Sequence, residues 1–598
     1  MKMGVRRLVA TVVLGAAAVL LVATPASAHA SLLESNPAPG EILQTSPKTI
    51  TLSFTEPVST SLGALRVFNS ESKRVDAGDV EIRNNVVELA LPKLDDGSYA
   101  VTWRVTSEDA HPVTGAFAFQ IGNVGNASSP ATQALAERLL NAESGDKLVG
   151  TVYGITRGLL FAGLALMIGC AAFGVIVTSR ARASTANRRL VWIGWLMTTV
   201  AAVVGFLVYG PYVGGLGLDE SFSSRVIDET LSSRYGHIGV ARLILLVLAI
   251  PIIRVLLARD GDEPRPIPQP WLGAAAVFGA LIAATPGLSG HASSGDLVPL
   301  AVFTDTIHVL AMGVWLGGLV TLGVVVMRGL TVAQMQAPVA RWSRLAFGCV
   351  VAIVATGVFQ AWRQVGNLTA LRTTEYGRML IIKILLFAGL LMLAAFSRES
   401  VRYLFPGSKP EPKNAKRGVP IVAGGADDAD PNLSPAPTPE EVAEYEAWEH
   451  KRLRRSVWAE VGVAVLVLSI TALLVNAPPA KSAAANENGN AIGITLKAKD
   501  VWVDVVVVPG RSGRNAVHVS ALTPKGELKD VEELTITFSL PEQDIADIEV
   551  PLEKISAGHY TAAGFTIPLD GDWIVTAKAV VSEFTQRTMR AEIEITES

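Results

Sequence analysis

The chain has 598 residues, half of them hydrophobic, with a formal net charge of -3 and a mean hydropathy of +0.38. Long apolar runs in that background mark an integral membrane protein with room for soluble domains, and the small net charge argues against a nucleic-acid partner. Its two cysteines, Cys170 and Cys349, both lie in apolar runs, which excludes a disulfide framework for the soluble parts.

Residues 1–28 carry Lys2, Arg6 and Arg7 ahead of an apolar core and end in Ala26-Ser27-Ala28, the pattern of an export signal with its cleavage site. Cleavage there makes His29 the new N-terminus, whose α-amine and imidazole can close a chelate ring on one metal ion. Residues 49–121 alternate in short strands, TITLSF, ALRVF, VVELAL, YAVTWRV and GAFAFQI, separated by Pro, Gly and Asp-Gly. That spacing predicts a small β-barrel or sandwich over 29–122. In SEDAHPVTG, Asp109 and His111 are two apart, so an extended segment would point both to one face, while Pro112 favours a loop or strand edge. The His29 amine and imidazole, the His111 imidazole and the Asp109 carboxylate make an N/O donor set suited to Cu(II). Residues 29–122 contain neither Met nor Cys, so they offer no soft site for Cu(I).

The stretches HASLLESNPAPGEIL, FTEPV and SEDAHPVTGAFAF resemble the CopC family of exported copper-binding β-barrels. The resemblance implies His29, Asp109 and His111 as the Cu(II) ligands, with Glu56 of FTEPV as an auxiliary carboxylate. It also implies a Cu(II)-only version, because the methionine-rich site of some relatives is missing.

A polar linker, 123–149, leads to eight apolar spans near 150–177, 190–213, 238–258, 271–288, 300–327, 345–364, 378–397 and 457–476, each long enough for a hydrocarbon core of ~30 Å. Loops expected on the cytoplasmic side hold Arg180, Arg182, Arg254, Arg259, Arg328 and Arg341, whereas the outward loop after the second span holds Asp219, Glu220, Asp228 and Glu229. This asymmetry follows the positive-inside rule and predicts a multi-pass plasma-membrane protein with both terminal domains outside.

Within the spans, the stretch from Thr285 to Leu319 stands out. It reads as the outer end of one helix, a short loop with His291, and a second helix with Asp305, His308, Met312 and Trp315 on one face. An acid and an imidazole are costly in lipid, so they face the bundle interior and mark an ion path, or form an interhelical hydrogen bond. If the second helix enters near Leu300, its rise places His308 roughly 12 Å deep. His291 then sits at the mouth, and His237, opening the third span, falls in the same outer half. Arg157, Arg242 and Lys383 also lie within spans and suit a structural role, snorkelling to the interface or pairing with Asp305.

SGHASSG, DTIHVLAMGVWLGGL and RWSRLAFGCVVAIVATGVFQA, followed by EYGRMLIIKILLFAGLLMLAAFSR, resemble the CopD family of copper-resistance and copper-uptake membrane proteins over about 150–400, seven helices. The resemblance implies His291 and His308 as copper-handling residues; Asp305, Met312 and His237 complete the candidate path, with copper in transit as Cu(I) or Cu(II).

Residues 401–455 are rich in Pro, Gly and charge and read as a flexible cytoplasmic loop, with a helix starting at Thr438-Pro439 that runs into the eighth span, 456–477. After a spacer at 478–491, residues 492–598 read as an immunoglobulin-like β-sandwich with Trp573 in its core; they are similar to the YtkA-like domain found as the third part of CopC-CopD fusions of the YcnJ type. His518 and His559 are far apart in sequence and read as structural. Together the elements predict a copper-import permease rather than an enzyme, with copper, the bilayer and an exported copper chaperone as candidate partners. The alternative is a copper-resistance, sequestration or sensing protein that binds the metal outside and moves none.

Overall fold

The structure, a computed structural model, describes residues 30, 32–39, 41–59, 65–76, 80–108, 110–122, 147–295, 297–329, 332–404, 439–481, 492–508, 510–524, 528–582 and 585–596. The expected signal segment, His29, Asp109 and most of the linker, cytoplasmic loop and spacer lie outside the described residues.

The N-terminal unit is a β-sandwich whose strands bury alternate residues. One sheet runs β1 (Leu32–Asn36), β3 (Thr49–Phe54), β7 (Val86–Ala90), β6 (Val80–Arg83). The other contains β2 (Ile42–Leu43), β9 (Pro112–Ile121), β8 (Gly97–Ser107) and β4 (Val58–Ser59), with β5 (Leu65–Asn69) also on β8. Ile50, Leu52 and Phe54 of the first sheet face Val101, Val105 and Phe119 of the second across one apolar core. The hairpin β8–β9 dominates. At its turn Ser107 N–H donates to His111 O at 3.0 Å, Ala110 has φ +67°, and β9 begins at Pro112, where the missing N–H costs least.

Among the described residues, eight helices are long and apolar enough to cross a membrane: α1 (Lys147–Ile176), α2 (Thr185–Gly214), α3 (Arg234–Leu256), α4 (Gln269–Leu288), α5 (Val298–Val326), α6 (Gln334–Val365), α7 (Glu375–Ser397) and α8 (His450–Asn476). The chain is a multi-pass membrane protein. The helix containing α8 begins at Pro439. A two-residue ladder, β10 (Arg259–Asp260) with β11 (Glu263–Pro264), closes the α3–α4 connection. Helix α5 is the most buried of the eight, with 67% of its apolar window enclosed. Its G-x-x-x-G pair, Gly313 and Gly317, lets the backbone meet a π-bulge at Ala165–Gly169 of α1 so closely that a Cβ on Gly317 would fall 2.0 Å from Ala165 O. Such small-residue contacts are how helices associate in lipid, where apolar burial supplies no net drive. Asn187 bridges the same junction, donating to Cys170 O at 3.2 Å and accepting from Thr321 Oγ1 at 3.1 Å.

The C-terminal unit packs two antiparallel sheets around one core. The first is β12 (Ile492–Lys497), β13 (Trp502–Val508), β14 (Gly513–Leu522), β18 (His559–Ile567) and β17 (Glu553–Ser556). The second is β16 (Ile545–Glu549), β15 (Glu533–Leu540), β19 (Gly571–Ser582) and β20 (Thr585–Ile595). Trp573 is fully buried against Phe538.

Candidate functional site

The N-terminal sandwich seats its β8–β9 hairpin on one end of the helix bundle, and the chemistry of helix ends explains how. The last carbonyls of an α-helix have no partner within the helix. At the end of α2, where Gly215 turns the chain at φ +68°, Arg104 of β8 donates to Tyr212 O at 2.8 Å and to Val213 O. At the end of α8, Val475 O accepts from His111 Nε2 at 3.1 Å and from Arg157 at 3.0 Å. Cations and N–H groups at these negative ends are doubly favoured, by hydrogen bond and by the helix dipole. Ala110 packs beside a tyrosine cluster in which Tyr209 and Tyr235 stack at 3.8 Å.

His111 is thereby buried, and its ring lies flat on that of His291, with centroids 4.5 Å apart and planes 6° apart. Because a carbonyl can only accept, the hydrogen bond to Val475 O puts the proton on Nε2 and leaves the lone pair of a neutral ring on Nδ1. His291 sits in the short α4–α5 turn, which is pinned from two helices: Arg363 of α6 donates to Ser294 O at 2.6 Å and Arg234 of α3 to Ser293 O at 3.1 Å. Glu56 lies in the turn before β4, whose Val58 pairs with Ser107, so it shares the end of the sandwich that carries His111. Ala30 is buried in the same domain.

Below His291 opens a cavity of ~420 Å³ between α1 and α3 to α8. Its lining includes Asp305, His308 and Met312 of α5 together with Lys383 of α7. The 3.6-residue period turns Asp305, His308 and Met312 of α5 to one space, and His291 of the preceding turn also lines it. His237 is the exception. It is exposed and absent from the cavity wall, because it stands two residues, or about 200° of helix, beyond the buried, cavity-lining Tyr235. Arg157 and Arg242 do not pair with Asp305 either. Arg157 caps α8, and Arg242 donates to Thr285 Oγ1 at 2.8 Å. The cations acting on Asp305 are Lys383 and Arg363. Gly287 of α4 makes room for its carboxylate, since a Cβ there would lie 2.4 Å from Oδ2.

A partner stripe on α6 escaped the sequence reading. Thr356, Gln360 and Gln364 recur every fourth residue, a signal that the search for ionisable groups passes over. Thr356 Oγ1 lies 2.8 Å from His308 Nδ1 and 2.6 Å from Ala352 O. Its one proton goes to the carbonyl, so it accepts from the imidazole, which places the His308 proton on Nδ1 and the lone pair on Nε2. Gln360 donates to Ala301 O at 3.2 Å and Gln364 accepts from Tyr376. An imidazole with a fixed lone pair, a carboxylate and a thioether in one enclosed space can bind a borderline or soft metal cation in steps.

In the C-terminal unit, β14 and β18 carry His518 and His559 as a diagonal cross-strand pair, with ring centroids 6.4 Å apart. Sequence distance concealed this neighbourhood. Burial, then the adjacent His559, pushes His518 down to about 4, and burial also lowers His559, opposed by Glu41. Among the described residues no three His, Cys, Asp or Glu side chains are grouped to hold a metal.

Residues 32–122 match the CopC domain, 148–298 the copper resistance protein D-like N-terminal domain, and 336–423 copper resistance protein D. The copper transport protein CutJ of Bacillus subtilis (strain 168) is 22% identical over 588 residues, spanning 94% of this chain and 94% of that protein. Copper resistance protein C of Xanthomonas campestris pv. juglandis is 30% identical over 125 residues, 19% of this chain and 96% of its own. The crystal structure of CopC from Methylosinus trichosporium OB3b is 28% identical over 16% of this chain and 98% of that one, at a TM-score of 0.15.

Proposed function

This chain joins a CopC domain to copper resistance protein D domains in one membrane protein, and we propose that it imports copper, capturing Cu(II) outside the cell and handing it to a path through the bundle. His29, Asp109 and His111, with Glu56 nearby, hold the ion; His291 receives it; Asp305, His308 and Met312 carry it inward. The observation that carries this reading is the His111–His291 stack at 4.5 Å, an imidazole of the capture domain in contact with the imidazole at the cavity mouth. A ligand exchange between touching rings needs no free ion in solution. The arginine-rich loops lie on the opposite face, which the positive-inside rule assigns to the cytoplasm. An inside-negative potential then favours entry of a cation by ~2.3 kcal/mol per charge per 100 mV, so inward movement requires no nucleotide.

The test is the copper content of cells expressing the parent chain, His291→Ala, His308→Ala or His237→Ala. Import predicts a fall for the first two variants and parental levels for the third. Levels that stay constant or rise on deletion of the whole chain would instead establish a protective binder. Mass spectrometry of the processed chain, expected to begin at His29, tests the capture site.

A further inference from the structure

The cavity ends before the bundle does. Its wall closes at Ala464 of α8 and Leu390 of α7, near the level of Trp315 of α5. One turn further toward the arginine-rich face, ~6 Å along α8, stands Glu460, with 4% of its surface exposed. It accepts a hydrogen bond from Ser397 of α7, whose hydroxyl also lies 2.7 Å from Ser456 Oγ. Among the described residues Glu460 forms no ion pair. The groups around it have other engagements. Arg328, which follows α5, lies over Trp458; Arg452 lies over Phe396 and Trp448; Lys451, Arg454 and Arg455 are exposed. Before Ser397, α7 carries Arg378 and Lys383, nineteen and fourteen positions away; Arg398 and Arg402 follow it in the chain, and α1 contributes no charged side chain to the last two turns that face α8.

A carboxyl enclosed at membrane depth without a cation is costly to keep unless it has work to do. Among the described residues its polar contacts are the Ser397 hydroxyl and, through it, the Ser456 hydroxyl, an all-oxygen set that suits a proton far better than a borderline or soft metal ion. We propose that Glu460 is a proton site coupled to the copper path: it holds a proton while the cavity is empty and releases it toward the arginine-rich face when a copper ion occupies the space above. This rests on the reading of the cavity as a copper path. In the step the Glu460 O–H bond breaks and the proton passes along the Ser397 and Ser456 hydroxyls to water. The carboxylate left behind partly neutralises the arriving cation, and no electrons change hands. At an effective dielectric of about 20, a unit charge ~12 Å away alters proton affinity roughly tenfold, and by linkage the proton alters copper affinity by the same factor.

The test uses the full chain in nanodiscs and Cu(II) alone, and reads the infrared difference spectrum on copper addition. The parent should lose a protonated-carboxyl C=O band that is absent in Glu460→Gln and shifts in Ser397→Ala. In parallel, copper affinity of the membrane site should vary with pH about tenfold less in Glu460→Gln than in the parent. A parent spectrum without such a band, or a band that survives Glu460→Gln, overturns the proposal. Copper flux into liposomes separates the two readings: a band lost without flux leaves the Glu460 site standing and refutes the transport path, whereas flux with no change at the carboxyl refutes Glu460 alone.

Discussion

Replacing Thr356 by Val keeps the shape of the side chain and removes the hydroxyl oxygen that accepts from His308 Nδ1. In the parent, His308 Nδ1 donates across 2.8 Å to a hydroxyl that is itself committed to Ala352 O at 2.6 Å. Valine leaves the imidazole N–H without its acceptor, a loss of ~1–3 kcal/mol for a buried donor. The ring can avoid that loss only by moving its proton to Nε2 or by turning, and either change removes the lone pair from Nε2, the nitrogen proposed to meet the metal. Loss of such an orienting partner typically lowers metal affinity about 10- to 100-fold, or ~1.4–2.8 kcal/mol, which agrees with the cost of the orphaned donor. The assay is copper accumulation against external copper, with folding followed by thermal unfolding in detergent. Thr356→Val should shift the concentration dependence by about that factor, and Thr356→Ser, which keeps the hydroxyl, should restore it. Equal performance of Val and the parent, or equal failure of Ser and Val, would refute the assignment of the His308 tautomer.

Three further outcomes follow from the same geometry. Gly287→Ala should disable the path while leaving the bundle assembled, because the new Cβ, 2.4 Å from Asp305 Oδ2, displaces a movable carboxylate; accumulation below a tenth of the parent at an unchanged melting temperature is the expected result. Arg104→Ala removes charge-assisted bonds to the α2 carbonyls, each worth ~1.5–3 kcal/mol, and hydrogen exchange in residues 107–112 should rise at least tenfold as the hairpin lifts from the bundle. In the C-terminal sandwich, His518 is held down to about 4 against an ordinary value near 6.5. Its native state therefore binds fewer protons than the unfolded chain between those values. The stability it contributes is complete above pH ~6.5 and falls as pH drops toward 4, by on the order of 2 kcal/mol for this partly exposed ring. Amide protection of β14 and β18, corrected for intrinsic exchange, should decline over that window and decline less in His518→Gln, where only His559 remains to titrate.

The sequence reveals depth in the membrane more readily than direction around a helix. Asp305, His308 and Met312 were legible as a set because they share one helix, where spacing alone fixes their common face. His237 was placed at the right depth beside the wrong neighbours: its distance from a helix end is visible in the chain, but its angle only relative to residues known to be buried, such as Tyr235 and Arg242. Thr356 went unnoticed because a threonine in an apolar span carries no charge to flag it, and only the imidazole across the gap gives it a purpose. The two terminal sheet domains were legible from period-two alternation. The docking of the first was not, since it depends on helix-end carbonyls, which every sequence possesses.

The eighth helix follows from that docking. Seven spans would leave the C-terminal sandwich on the opposite side of the membrane from the N-terminal one. An eighth returns it to the same face, where His559 Nε2 comes within 3.5 Å of Glu41 Oε1. Glu41 also accepts from Ala38 N at 2.7 Å, and its own carbonyl accepts from Gln120 at the end of β9 remote from His111. The N-terminal sandwich is therefore held at both ends, by Val475 of α8 at the hairpin and by the domain that α8 leads into at the far end. A capture domain tethered only by its linker would present His111 to the bundle in many orientations. Held at two ends by one helix and the sandwich beyond it, the domain presents that ring in a single pose, flat against His291, the pose that the proposed transfer requires.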